Sequence, residues 1–176
     1  MSEEIDYNAK HLLYLRHGKS NTSIEAGTDE ARTLLESGRE RVKNTARAIR
    51  EIGLIPDLII CSGATRARQT LEEVSKVFGD DAEVEYKYTL YRQIESEIVA
   101  VINQTANSVK NLMLIGHEPT ASEISYYFSN REISNPDFTD YISQGISTAQ
   151  CTVLESEKEF SKWGEQTAKL VAVLRG

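Results

Sequence analysis

The segment His11-Leu12-Leu13-Tyr14-Leu15-Arg16-His17-Gly18-Lys19-Ser20 is an apolar run of strand length that ends on an arginine, a histidine and a glycine. Two later segments share this design. One is Asp57-Leu58-Ile59-Ile60-Cys61-Ser62, followed by Gly63-Ala64-Thr65-Arg66. The other is Asn111-Leu112-Met113-Leu114-Ile115-Gly116-His117-Glu118-Pro119-Thr120. Near-continuous apolar runs of this length read as strands buried on both faces of a parallel sheet. Ligands of open α/β sheets bind beyond the carboxyl ends of such strands. Two of the three histidines and two arginines are therefore expected at one crevice.

Outward from these runs, strand and helix alternate. The spacing of Val42, Ala46 and Ile49 predicts a helix over 38–52, and Gly53 supplies its stop. A second helix is expected over 65–78, with Ala67, Leu71 and Val74 inward. Residues 83–88 alternate Val84, Tyr86 and Tyr88 with charged residues, as in a strand with one wet face. Helices are expected over 95–105 and from Pro119 to about Phe128, where proline suits a first turn. Residues 20–35 read as a loop or short helix, and 129–147 as irregular. Cys151-Thr152-Val153-Leu154 and Ala168–Leu174 are expected to close the chain as an antiparallel pair.

The length of 176 residues fits one domain over 11–176, preceded by an N-terminal extension over 1–10. The net charge of −7 argues against sequence-independent nucleic-acid binding, which needs a broad basic surface. It leaves room for a small anionic group held by local arginines. The acidic N-terminus lacks the pattern of a signal peptide, and no apolar run has the length of a membrane helix. A soluble cytoplasmic protein is the expectation. Cys61 and Cys151 lie in apolar stretches without Cys-x-x-Cys spacing, so they read as reduced core residues rather than zinc ligands.

Arginine offers a rigid fork that matches phosphate oxygens. Histidine serves as nucleophile or hydrogen-bond donor near neutral pH. A lone His17 would read as a strand-end cap, but Arg16 beside it and Gly116-His117 on another strand favour a site. Arg66 falls in the first turn of a helix, where unpaired N–H groups favour anions. Arg68, two residues on, points elsewhere around the helix. Glu118 reads either as a partner for a neighbouring helix end or as a solvent-facing side chain. Phe138 and Tyr141 read as site-rim aromatics or, preferably, as aromatics packed under a loop.

Leu13-Tyr14-Leu15-Arg16-His17-Gly18-Lys19-Ser20 resembles the signature of the histidine phosphatase superfamily, also called the phosphoglycerate mutase-like fold. The compact length resembles its SixA-like phosphohistidine phosphatase branch. Asp29-Glu30-Ala31-Arg32-Thr33-Leu34-Leu35-Glu36-Ser37-Gly38 is similar to that branch's D-x-x-R-x-L-T-x-x-G segment, with Leu35 for threonine. Ser62-Gly63-Ala64-Thr65-Arg66-Ala67-Arg68-Gln69-Thr70 is similar to S-x-x-x-R-A-x-Q-T. Ile115-Gly116-His117-Glu118-Pro119 is similar to its G-H-(N/E)-P turn, and Ser147-Thr148-Ala149 to S-T-G, with Ala149 for glycine.

The resemblance implies a three-layer α/β/α sandwich with a mostly parallel central sheet and one antiparallel strand. It implies His17 as the nucleophile that forms a phosphohistidine. Arg16, Arg66 and His117 would bind the phosphoryl oxygens, and no metal or cofactor is needed. Lys19, Ser20 and Arg32 are further candidates for ligand contact. Many members place an acid near residue 88 to protonate the leaving group. Here Leu90-Tyr91-Arg92-Gln93-Ile94-Glu95 offers only Glu95. General acid help is typically worth about 10²–10⁴-fold. An imidazole can depart already protonated, so the missing acid tilts the expected substrate toward phosphohistidine on a protein. The alternatives are a small-molecule phosphomonoesterase and a non-catalytic phosphoprotein-binding module.

Overall fold

The computed structural model describes residues 2–176. Its centre is a six-stranded sheet with the order β3-β2-β4-β1-β5-β6. The strands are β1 (Lys10–Arg16), β2 (Leu58–Cys61), β3 (Glu83–Tyr86), β4 (Asn111–Gly116), β5 (Cys151–Ser156) and β6 (Lys169–Leu174). β3, β2, β4 and β1 are mutually parallel. β5 runs antiparallel to both β1 and β6, so it alone is reversed. The expected sandwich with one antiparallel strand is the observed one.

The apolar runs alternate between two cores. Leu12, Tyr14, Ile60, Leu112 and Leu114 face one side, with Phe128, Phe160 and Trp163. Leu13, Leu15, Ile59, Met113 and Ile115 face the other, with Val42, Ile49, Ala67 and Val74. α2 (Glu36–Glu51) and α3 (Thr65–Phe78) supply that second layer. α5 (Glu95–Asn103), α6 (Thr120–Phe128) and α7 (Pro136–Ser143) cover the first. Cys61 and Cys151 are buried and unpaired, and burial pushes the Cys61 thiol up to about 12.

Two expectations are corrected. The segment 129–147 is not irregular, because it contains α7. Asn135 caps that helix by accepting from Asp137 N, Pro136 opens it, and Phe138 and Ile142 sink into the core. The strand after α3 ends at Tyr86 and has no buried face, with Val84 40% and Tyr86 51% exposed at the sheet edge. The chain then turns into the short helix α4 (Tyr88–Arg92), which the alternation of 83–88 had hidden. A further short helix, α1 (Ser23–Ala26), lies in the loop after β1 and carries a complete capping box between Thr22 and Glu25.

Candidate active site

β1 and β4 pair in register, so Arg16 lies opposite Gly116 and the following residues are His17 and His117. The backbone around His17 is tied on both sides. His17 N donates to Gly116 O, and Ala149 N donates to His17 O, each over 3.0 Å. The two imidazoles consequently stand 5.1 Å apart, centroid to centroid. Gly116 leaves room for the buried Tyr14 ring, because a Cβ there would meet Tyr14 Cε1 at 3.1 Å.

The His17 tautomer follows from its contacts. Nδ1 lies 2.7 Å from Gly18 O, and a carbonyl only accepts, so Nδ1 carries the proton. Nε2 is then the lone-pair nitrogen, and it accepts from Arg66 Nε over 3.3 Å. Burial pushes the ring pKa down to about 3, helped by the charges of Arg66, Arg16 and Arg32 and opposed by the Gly18 carbonyl. The ring is therefore neutral and nucleophilic at neutral pH.

His117 is the complementary group. Its Nε2 lies 2.7 Å from Ser62 Oγ. That hydroxyl oxygen also accepts from Ala64 N, and its one proton is free to point at His117, the arrangement in which Nε2 is the acceptor. Nδ1 is then a buried N–H, and it has no partner in the described chain. Burial, reinforced by His17 and Arg66, lowers this ring's pKa to about 3 as well.

Arg66 sits in the first turn of α3, as expected. Its Nη1 donates to Asp29 O over 2.8 Å, and Nη2 to Asp29 Oδ2 over 3.2 Å. Tyr91 OH donates to the same Asp29 Oδ2 over 2.8 Å. Partial burial pushes the Asp29 carboxyl up, but the Tyr91 hydrogen bond and Arg66 outweigh it and hold it below the usual range. Tyr91 also stands edge-on to His117, with centroids 5.8 Å apart. The motif residues beside Arg66 act as struts: Gln69 Oε1 accepts from Leu34 N, and Thr70 Oγ accepts from Gly18 N.

Arg16 is clasped from the opposite side. Its Nη1 donates to Ile146 O over 2.7 Å, while its buried Nε has no partner in the described chain. Ile146 N donates in turn to Glu118 Oε1, and Glu118 Oε2 accepts from Ser122 N and Oγ. Burial lowers the Arg16 pKa, Glu118 opposes that shift, and Arg32 and Arg66 add to it. Glu118 is thus a brace between α6 and the segment that positions Arg16, the first of its two sequence readings.

Of the further candidates, Arg32 approaches the site through Asp29, with Nε 3.5 Å from Oδ1. Lys19 is exposed, and Ser20 forms an isolated bridge to Leu34. Glu95 opens α5 after the short helix α4, is exposed, and has Glu123 as a charged neighbour. Arg68 leaves the site, donating to Gly63 O and stacking on Tyr86. Phe138 is core, and Tyr141 OH donates to Gln150 Oε1. Asp29, Tyr91 and Ser62 went unrecognised as site residues. Their positions in the motifs were on view, but their partners lie dozens of residues away.

A family model described as histidine phosphatase superfamily (branch 1) matches residues 12–91. An uncharacterized protein of Mycobacterium tuberculosis, MT1313, is 33% identical over 118 residues, covering 61% of this chain and 72% of that protein. A candidate phosphohistidine phosphatase SixA from Nakamurella multipartitia has a similar structure, with a TM-score of 0.81 and 21% identity, covering 97% of each chain. A mycobacterial glucosyl-3-phosphoglycerate phosphatase superposes with a TM-score of 0.61 and 16% identity, over 92% of this chain and 97% of that one. At such identities the two structural likenesses establish shared fold. Joined to the family model and the mycobacterial relative, they place this chain in the histidine phosphatase superfamily, branch 1, as a hydrolase.

Proposed function

We propose that this protein removes the phosphoryl group from phosphohistidine on a protein, with His17 as the nucleophile. The observation that carries the chemistry is the His17 tautomer, with Nδ1–H on the Gly18 carbonyl and the Nε2 lone pair facing Arg66. In the first step Nε2 bonds to phosphorus while the substrate's P–N bond breaks. The leaving imidazole keeps the bonding pair and departs neutral if its other nitrogen carries a proton. In the second step water attacks phosphorus, the P–Nε2 bond breaks, and both water protons leave with dihydrogen phosphate. Arg16 Nε, Arg66 and His117 Nδ1 are the donors for the equatorial oxygens, whose charge such preorganised groups stabilise.

The substrate reading rests on the proton inventory. α4 brings Tyr91 rather than a carboxylic acid to the site, and Glu95 faces solvent. Asp29 is close, but its depressed pKa makes it ionised and a poor proton donor at neutral pH. An alkoxide leaving group would lack help worth about 10²–10⁴-fold, whereas imidazole leaves unaided. A second reading, phosphomonoester hydrolysis, draws on the same Asp29 if substrate phosphate frees it from Arg66.

The test is a comparison of purified protein on a phosphohistidine carrier protein and on a panel of sugar phosphates. A kcat/KM advantage of about 10²-fold for phosphohistidine is expected. Equal or reversed preference overturns the substrate assignment. Rapid acid-free quenching is expected to trap phosphate on His17, and His17→Ala to reduce turnover by about 10⁴-fold.

A further inference from the structure

We propose that Tyr88 and Tyr91 form a subsite for a flat aromatic ring carrying the phosphoryl group, imidazole or phenol, and so set the leaving-group preference. The inference rests on the phosphatase reading above and refines it.

In-line transfer places the leaving group across phosphorus from His17 Nε2. His17 is only 5% exposed and is stitched into the sheet, so the leaving group points away from the sheet, toward the rim. Asp29 and Tyr91 belong to that rim, next to Arg66 and His117 respectively. The Tyr91 ring has a fixed pose. Its hydroxyl is tied to Asp29, and its plane lies 78° from that of His117. Tyr88 packs against it tilted by 37°, with centroids 5.5 Å apart, yet remains 58% exposed.

Neither ring belongs to either core cluster. An exposed ring, Tyr88, held against a half-buried one, Tyr91, beside the two histidines offers a π-face at little ordering cost, and aromatic pairs favour this range of separations. The rim on the Arg16 side has the opposite character. It is a groove of about 500 Å³ lined by Glu118, Ser122, Glu123 and Gln144, suited to polar groups rather than a neutral ring.

Three peptides of identical flanking sequence, bearing phosphohistidine, phosphotyrosine or phosphoserine, test the proposal. Tyr88→Ala, which alters an exposed side chain, is expected to lower kcat/KM for ring-bearing substrates about 5- to 10-fold relative to phosphoserine. Tyr91→Leu does the same more strongly, Tyr91→Phe retains ring selectivity, and Glu123→Ala in the polar groove leaves the ratios unchanged. Loss confined to phosphohistidine or to phosphotyrosine supports the subsite and names its ring. If the tyrosine truncations depress all three peptides by one factor, or none, the subsite is refuted while the phosphatase reading stands. If the wild type turns over none of them, the phosphatase reading fails and the subsite with it.

Discussion

Arg66 Nε donates to His17 Nε2 over 3.3 Å, so in the free protein the guanidinium occupies the lone pair that would attack phosphorus. Its other two nitrogens are held by Asp29. In the proposed mechanism an entering phosphoryl oxygen takes over the Nε–H and releases the His17 lone pair, which would couple substrate binding to activation through one side chain.

The first expectation concerns protonation. A His17 ring with a folded pKa of about 3, against roughly 6.5 when unfolded, stays neutral through the weakly acidic range. Below pH ~6.5 the unfolded chain takes up a proton that the folded one refuses, so this stabilisation is complete above that pH. It is lost as pH falls from ~6.5 toward ~3. NMR titration of the His17 ring is expected to show no transition between pH 8 and 5. Bound tungstate, as a dianion, is expected to move the transition upward. A midpoint near 6.5 in the free protein contradicts the buried, neutral nucleophile.

Ser62→Ala removes the donor that fixes the His117 tautomer. The ring is then free to carry its proton on Nε2, which takes the Nδ1–H from the phosphoryl oxygens. A fall in kcat/KM of about 10-fold is expected, the scale of one hydrogen bond. Ring ¹⁵N shifts of His117 are expected to report mixed tautomers. Unchanged shifts and unchanged rates would show that Ser62 does not set the proton.

Glu118→Ala leaves Ile146 N and Ser122 N without their carboxylate acceptor and loosens the peptide that holds Arg16. Tungstate affinity is expected to fall by roughly 10-fold, and stability by about 1–3 kcal/mol. Calorimetric titration and denaturant unfolding measure the two effects separately. Full oxyanion affinity in a destabilised variant would mean that Arg16 is held without this brace.

Leu35 is the N-cap of α2 and makes no side-chain cap hydrogen bond. The related motif has threonine there, whose hydroxyl would accept from the first turn. Leu35 is 37% exposed, so its replacement gives up little burial. Leu35→Thr is expected to stabilise by about 1 kcal/mol. For a chain of this size that is roughly 2–4 °C in Tm, readable by thermal melting with no change in kcat.

The parts legible in the sequence were those with local causes. Strands β1, β2 and β4 announced themselves as apolar runs, and strand ends bearing Arg16-His17 and Gly116-His117 were placed side by side by parallel pairing. The cap and proline of α7 were present as Asn135-Pro136, yet the surrounding polar residues masked the Phe138 and Ile142 spacing. At β3 alternation promised a wet and a dry face, but position at the sheet edge overrode the pattern. The Asp29–Arg66–Tyr91 network was invisible because sequence separations of 37 and 62 residues leave no spacing to read.

The pairing of β1 with β4 has a further consequence. Adjacent strands lie about 4.8 Å apart, close to the 5.1 Å between the two imidazoles. The separation of the two imidazoles is thus inherited from the backbone ladder rather than set by the surface loops. Those loops are free to diverge in length and chemistry, retuning what the enzyme accepts, while the reacting pair keeps its gauge.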